Sequence, residues 1–266
     1  MMRSLWVAKT GLDAQQTNLD VISNNLANIS TTAYKRTRPV FEDLVYQNLR
    51  VAGLYEDANT IIPTGLQVGN GSRISATQRI NTAGAMVQSQ NPLDMAITGE
   101  GFFQVDLGDG TVAYTRAGNF VRGEDGSIQT ASGLPILGVS GGKLTLPPNI
   151  SSLIVGADGN VSAYLSGNTA TPYQIGQVAV YSFVNPAGLA SGGGGLYTQT
   201  MSSGEPQGSG APGQNGVGSI AQYYTEQSNV NVAEELVSLI AAQRAYEITA
   251  KSVTASDQML QKLGQL

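Results

Sequence analysis

The side chains that most often carry catalysis are scarce in this chain of 266 residues. It contains no histidine and no cysteine, which removes thiol nucleophiles, Ser-His-Asp triads and zinc sites built on either side chain. Asp106, Asp109, Glu124 and Asp125 could in principle form a carboxylate pair or a calcium site, but they lack the spacing of an EF-hand loop. Asp-Gly turns explain these positions better, so we interpret them as structural.

The glycine-rich stretches do not have the spacing of phosphate-binding loops. GNGS at 69–72 and GEGFF at 99–103 lack the third glycine and the helix start of a dinucleotide loop, and Gly142-Lys143 has no Ser or Thr after it. A net charge of −5 and a pI near 4.7 also argue against a nucleic-acid partner, which normally requires a basic face.

Neutral hydrogen-bonding groups are concentrated in SNNLANISTT at residues 23–32. Amide side chains both donate and accept, so Asn24, Asn25 and Asn28 can satisfy one another and nearby backbone groups. The amides therefore suit a contact surface, provided that one element presents them together.

A helix with a seven-residue repeat is predicted to position these amides. Apolar residues recur at alternating spacings of three and four, with Gln15 as the one polar member of the set: Leu5, Ala8, Leu12, Gln15, Leu19, Ile22, Leu26 and Ile29. Asn24, Asn25 and Asn28 lie on the flanks of this apolar face.

The C-terminal end shows the same repeat. Val232, Leu239, Tyr246, Val253 and Leu260 are seven residues apart, and Leu236, Ala242, Ala250 and Leu263 widen the apolar face. Asn229 or Asn231 is expected to cap this helix, and Glu234 and Glu235 favour its positive end.

Two amphipathic helices at opposite ends of one chain predict an antiparallel coiled coil. The alternative is an ordinary helical layer packed on the central part of the chain. Two isolated helices of this length are marginal in water, so they are expected to order fully against other molecules.

The middle of the chain predicts β structure, which makes the fold α+β. Strand-like runs flank Asp109-Gly110, Asp125-Gly126 and Asp158-Gly159, and Asp-Gly is a strong hairpin signal. Ala179, Tyr181 and Phe183 are expected on one face of a further strand. The predicted organisation is terminal helices at 1–30 and 228–266, an extended or β region at 31–85 with a short helix near Phe41–Leu49, and an outer β domain at 86–227. That domain ends in a glycine-rich stretch at 191–218, which is predicted to be loop or extended chain.

Four segments together resemble the bacterial flagellar rod and hook proteins. They are MMRSLWVAKTGLDAQQTNLDVISNNLANISTTAYKR at the N-terminus, ITGEGFFQVDLGDGTVAYTRAGNFVRGEDGSIQTASGLPILG in the middle, SNVNVAEELVSLIAAQRAYEITAKSVTASDQMLQKLGQL at the C-terminus, and QNLRVAGLYEDANTIIPTGL at 47–66. The fourth segment and VAEELVSLIAAQRAYE resemble the distal-rod branch rather than the proximal-rod or hook branches.

The resemblance implies a structural subunit with neither catalysis nor a cofactor. Such subunits polymerise into a stiff, hollow drive shaft across the periplasm, with the terminal helices as an inner tube. The implied partners are other copies, proximal rod proteins, the hook protein, the surrounding peptidoglycan- and outer-membrane-ring proteins and the flagellar export apparatus. Export without a cleaved leader is expected, because the apolar run LWVA is too short for a signal peptide.

In a helical homopolymer, the heptad residues are expected to form contacts between subunits, together with Asn24, Asn25 and Asn28. The alternative for the amides is that they only end the helix. Lys35, Arg36 and Arg38 would meet acidic groups of a neighbouring subunit or face water. One remaining alternative is a proximal-rod or hook subunit, and the 47–66 segment distinguishes this chain from those. The other is a secreted adhesin, which would not need heptads at both ends.

Overall fold

The computed structural model describes residues 2–51, 53, 55–57, 60–61, 64–166, 168–208, 210–214 and 216–263. Its chain divides into two compact units. We call Met1–Ala27, Thr37–Arg79 and Asn231–Leu266 the helical unit, and Asn28–Arg36 with Ile80–Val230 the β unit. Two terminal helices and a mostly β middle confirm the α+β prediction.

The helical unit contains both long helices, α1 (Met2–Ala27) and α2 (Val232–Leu263). Asn25, near the end of α1, donates to Glu235 in the first turn of α2, whereas Gly11 lies beside Thr249 further along α2. The helices therefore run antiparallel, while coiled-coil packing between them stays a prediction. Among the described residues, neither helix is long and apolar enough to cross a membrane.

The limits of the helices follow from capping and turn chemistry. The Asn231 side chain accepts a hydrogen bond from the Ala233 N–H at 3.0 Å, so Asn231 rather than Asn229 caps α2. The first helix ends at Ala27, and the predicted helical position Ile29 lies in the turn beyond it.

A nested β arm makes up the rest of the helical unit. Its strands are β1 (Thr37–Asp43), β2 (Gln47–Arg50), β3 (Tyr55–Asp57), β4 (Thr60–Ile61), β5 (Leu66–Val68) and β6 (Ser72–Arg79). They pair antiparallel as β1–β6, β2–β5 and β3–β4. The short helix predicted near Phe41–Leu49 is wrong: Phe41 pairs with Ile74, a distant strand partner that the local pattern does not reveal.

The β unit contains fourteen strands among its described residues. They are β7 (Met86–Gln88), β8 (Met95–Thr98), β9 (Phe102–Asp106), β10 (Val112–Thr115), β11 (Phe120–Arg122), β12 (Ile128–Thr130), β13 (Ile150–Val155), β14 (Asn160–Leu165), β15 (Asn168–Gln177), β16 (Val180–Tyr181), β17 (Ala190–Gly193), β18 (Leu196–Thr198), β19 (Ser219–Gln222) and β20 (Tyr224–Glu226). One sheet has the order β16-β9-β10-β18-β17, another has β13-β14-β15, and β11–β12, β8–β19 and β7–β20 form pairs.

The Asp-Gly hairpins are confirmed at all three predicted places. They join β9 to β10, β11 to β12 and β13 to β14. Gly110, Gly126 and Gly159 have φ values of 75°, 79° and 81°, in the left-handed region where glycine has no Cβ penalty.

The core of the β unit lies on both faces of the five-stranded sheet. Phe103 packs edge-to-face with Phe120 at 5.2 Å between ring centroids, in the larger of two buried clusters. Phe102 points to the opposite face and packs with Phe183 and Tyr197 in the smaller cluster. Ala179 is also buried and Tyr181 half-buried, but the strand there covers only Val180–Tyr181.

The glycine-rich stretch at 191–218, predicted to be loop or extended chain, contains both loops and strands. Ser191 pairs with Tyr197 across β17 and β18, so backbone hydrogen bonds order a segment with little side-chain signal. Residues 209 and 215 of this stretch lie outside the described residues.

Candidate functional site

The predicted apolar face of α1 is largely covered within the chain. Ile22 is buried, and the remaining α1 positions Leu5, Leu12, Leu19 and Leu26 are half-buried, as is Ile29 in the β unit. Ala8 on this face is buried as well, which fits close packing by a small side chain, whereas Ala14 is buried on another side of α1.

The predicted positions on α2 divide between two faces. Leu239, Val253 and Leu260 are half-buried, whereas Val232, Leu236 and Tyr246 remain exposed. Leu263 lies in the last turn of α2, and its side chain is outside the described part of the structure.

A second apolar stripe on α2 was missed by the heptad pattern except for its member Leu236. We call Leu236, Val237, Ile240, Ile248 and Met259 the outer stripe. Val237 and Ile248 are 67% and 68% exposed, and Ile240 and Met259 are 50% and 60% exposed. At 100° per residue these positions lie opposite buried Ala242 and half-buried Val253. Reading every apolar residue of α2, rather than one residue in seven, would have found the outer stripe.

Asn25 has an intramolecular role that differs from the predicted contact between subunits. It is buried, and its side-chain Nδ2 donates to the Thr37 carbonyl at 2.8 Å and to Glu235 Oε2 at 3.3 Å. Its Oδ1 accepts from the Thr37 N–H at 3.0 Å. One amide thus joins α1, α2 and β1, because it can donate and accept at the same time.

The other two predicted amides lie in different settings. Asn28 is half-buried, and its Oδ1 accepts from the Thr31 hydroxyl at 3.1 Å in the turn after α1, as a residue that ends a helix would. Asn24 is exposed on α1. Contacts of Asn24 and Asn28 with another subunit stay predictions.

A buried ion cluster forms in the β unit around Glu226. Arg116 Nε donates to Glu226 Oε2 at 2.8 Å, and Lys35 Nζ donates to Glu226 Oε1. Lys35 Nζ also donates to the Thr82 carbonyl at 2.8 Å, and the Gly84 N–H donates to Glu226 Oε1 at 2.8 Å. The three charged side chains are 0–5% exposed, so two cations share one carboxylate away from water.

This setting shifts the pKa of both partners downwards. Burial alone would raise the pKa of Glu226, but the charges of Arg116 and Lys35 and the hydrogen bonds from Lys35 and Gly84 together hold it below 4.5. Burial lowers the pKa of Lys35 below 10.5, and attraction to Glu226 offsets only part of that effect.

Neither environment predicted for Lys35 is correct, because its partner is a carboxylate of its own chain. The backbone N–H of Arg36 donates to Asn229 Oδ1 at 2.7 Å, and Arg38 donates to Gln78 Oε1 at 2.9 Å. Lys35 and Glu226 are 191 positions apart, and no spacing rule connects residues at that distance.

Two of the four candidate carboxylates of the sequence, Asp106 and Asp125, have structural roles in turns. Asp106 accepts from the Gly108 N–H at 2.8 Å, and Asp125 accepts from the Ser127 hydroxyl at 2.7 Å and the Ser127 N–H at 3.1 Å. These bonds lower the pKa of Asp125 and close the turn. Over the described ranges, no group of three or more acidic side chains could hold a metal ion.

Three family models match three separate segments of the chain. Residues 5–35 match the flagella basal body rod protein model, residues 96–163 match the flagellar hook protein FlgE/F/G D1 domain, and residues 221–266 match the flagellar basal body rod FlgEFG protein C-terminal model.

Relatives are similar over the full length of the chain. Flagellar basal-body rod protein FlgG of Buchnera aphidicola subsp. Schizaphis graminum is 51% identical and covers 100% of both chains. The protein of that name from Agrobacterium fabrum is 42% identical, and the match covers 97% of each chain. The one from Bacillus subtilis is 37% identical, and the match covers 99% of this chain and 98% of the relative. The terminal helices, the β unit and these matches together show that the chain belongs to the flagellar basal-body rod protein family.

Proposed function

We propose that the chain polymerises into a rigid, hollow, helical shaft, the distal part of the flagellar rod, which transmits torque from the motor to the hook. The observation that carries this proposal is the outer stripe of α2. Exposed apolar side chains grouped on one side of a helix suit a contact with a partner, and Arg244 and Lys251 lie among those of the outer stripe. A helical polymer covers such a surface on every subunit except those at its ends, through a contact between two different faces that repeats without closing.

The terminal helices supply the inner tube of this shaft. Their inner faces are covered by the helical unit itself, which leaves the outer stripe for a neighbouring copy. The proposed axial partners are the proximal rod proteins at one end and the hook protein at the other, with the peptidoglycan- and outer-membrane-ring proteins around the shaft. The proposal includes export by the flagellar apparatus to a periplasm-spanning rod, and similarity to the rod proteins supports it.

The β arm is proposed to make the shaft stiff. Val45, Leu49, Val51 and Leu66 are 52–83% exposed on the arm, an apolar surface with the character of an intersubunit contact. An arm that fills the space between subunits would remove their freedom to slide. Within the 47–66 segment, residues 52, 54, 58, 59, 62 and 63 lie outside the described residues.

The proposal is tested by electron microscopy of concentrated full-length protein beside a chain truncated to residues 31–228. We expect straight tubes from the full-length protein and none from the truncated chain. Far-UV circular dichroism of the truncated chain should show that its β structure is retained. Tubes from both chains would show that the terminal helices do not drive assembly. Full-length protein that stays monomeric at every concentration would contradict self-assembly.

A further inference from the structure

The antiparallel helix pair has a different net charge at each end. Because Gly11 lies beside Thr249 and Asn25 bonds to Glu235, the first ten residues of α1 lie level with the last part of α2. That end carries four cations and one carboxylate, which are Arg3, Lys9, Lys251, Lys262 and Asp257. We call it the basic end.

The rest of the helix pair has the opposite sign. It carries five carboxylates and one cation, which are Asp13, Asp20, Glu234, Glu235, Glu247 and Arg244. We call this part the acidic half. The net charge is thus +3 at the basic end and −4 in the acidic half, although the whole chain carries only −5.

These charges lie among the apolar residues on the exposed faces. Arg244, Glu247, Lys251 and Lys262 are exposed and share the side of α2 that carries the outer stripe. Lys9, Asp13 and Asp20 are exposed on one face of α1, so the change of sign along the axis is repeated there.

We propose that this charge polarity orients a second copy of the chain on the outer stripe, with the basic end of one copy against the acidic half of the next. The inference rests on the proposed function and adds the contact that sets the axial order. Burial of the outer stripe is non-directional, whereas the opposite charges favour a head-to-tail arrangement and oppose the reverse one.

A second copy fits this surface better than a partner of one charge sign. Nucleic acid or an anionic membrane would be attracted by the basic end but repelled by the acidic half. A copy of the same helix pair offers the opposite sign at both ends. The contact then repeats from one subunit to the next, as a polymer requires.

The test uses two full-length variants with opposite changes. In the acidic variant, Lys251→Glu and Lys262→Glu make both ends of the helix pair negative. In the basic variant, Asp20→Lys and Glu247→Lys bring the acidic half to a net charge of zero and leave the basic end at +3. A control matched to the basic variant, Glu100→Lys with Glu124→Lys, makes the same change of +4 in net charge at exposed positions of the β unit. Light scattering and electron microscopy measure the critical concentration for polymerisation.

Each helix variant alone is expected to raise the critical concentration about tenfold, because like charges face one another in the acidic variant and the basic variant has a neutral half that no longer attracts the basic end. An equimolar mixture of the two should polymerise at a lower concentration than either variant alone, because the basic end of the basic variant (+3) then meets the acidic half of the acidic variant (−4). The control should polymerise at the wild-type concentration. Recovery in the mixture also shows that both variants are folded. Added NaCl should weaken wild-type polymerisation, because the exposed charges are screened within about 8 Å at physiological salt.

Several results would overturn the inference. One is a wild-type critical concentration for both the acidic and the basic variant, and another is a mixture that polymerises no more readily than either variant alone. The others are a control whose critical concentration rises as much as that of the variants, and wild-type polymerisation that does not depend on salt. A wild-type protein that never polymerises contradicts the proposed function itself, which separates the two failures.

Discussion

At the residue scale, the buried ion cluster of Lys35, Arg116 and Glu226 has the largest expected effect on stability. Glu226 is the one carboxylate between two buried cations, so Glu226→Gln would leave both without a counter-charge. Breaking a buried ion pair from one side typically costs about 3–5 kcal/mol. We expect a loss of this size in the free energy of unfolding, measured by urea denaturation.

The matched control is Glu42→Gln in the exposed Glu42–Arg73 pair of the β arm. Both side chains of that pair are at least 46% exposed, and water replaces a lost partner there. The control should therefore change the unfolding free energy far less than Glu226→Gln. Equal effects of the two substitutions would show that burial of the cluster has no energetic consequence.

The same cluster predicts a dependence on pH. The folded pKa of Glu226 lies below its unfolded value of 4.5, so its stabilising contribution is complete above pH 4.5 and is lost as pH falls through the folded pKa. The difference in unfolding free energy between wild type and Glu226→Gln should shrink as pH is lowered from 7 into this range. A difference that stays constant with pH would contradict the assigned shift.

The ion cluster could not be predicted from the sequence, because its members come from segments that only the folded chain brings together. Asn25 was recognised as part of an amide cluster, but its burial against Thr37 and Glu235 was not. Local patterns identify polar residues on a helix, yet they do not show which other element approaches them.

At the element scale, Asn25 connects the end of α1 to β1 and to the beginning of α2. Asn25→Ala leaves the Thr37 N–H, the Thr37 carbonyl and the Glu235 carboxylate without this partner. We expect a loss of about 2–4 kcal/mol in unfolding free energy, because buried polar groups that lose a partner are costly.

Asn24→Ala provides the control for this change, since Asn24 is the exposed neighbour on the same helix. Its effect on thermal and urea unfolding should be much smaller. If the two alanine variants unfold alike, the hydrogen bonds of Asn25 do not hold these elements together.

Elements with a periodic or turn signal were predicted well. The seven-residue repeats predicted both helices, and the Asp-Gly pairs predicted three hairpins. Phe41 and Ser191 show the limit: their strands depend on partners elsewhere in the chain, Ile74 and Tyr197, and neither has a local signal of its own.

At the scale of the whole molecule, the β arm is expected to control the stiffness of the polymer. Deletion of residues 47–64 removes β2, β3 and β4 but should leave the pairing of β1 with β6 intact. Asp43 still pairs with Ser72, and the Leu44 N–H still donates to the Gly71 carbonyl. Residues 45–46 and 65–70 would then close the turn. We expect this variant to polymerise into more curved or flexible tubes.

Measurement of tube curvature by electron microscopy checks this prediction. A matched control, Leu49→Ser with Leu66→Ser, keeps the arm but lowers its apolar surface, and should show an intermediate effect. A deletion variant that still forms straight tubes would rule out the arm as the source of stiffness.

The hydrogen bonds of Asn229 also have a mechanical consequence. The chain passes between the two units after residues 27, 36, 79 and 230. Asn229 Oδ1 accepts from the Arg36 N–H, and its Nδ2 donates to the Ile80 carbonyl, so three of these four passages are tied together inside the β unit. A pulling force that reaches the β unit along any one of these three chain segments would be shared among all three. The load is therefore distributed before it can peel a single strand from the β unit.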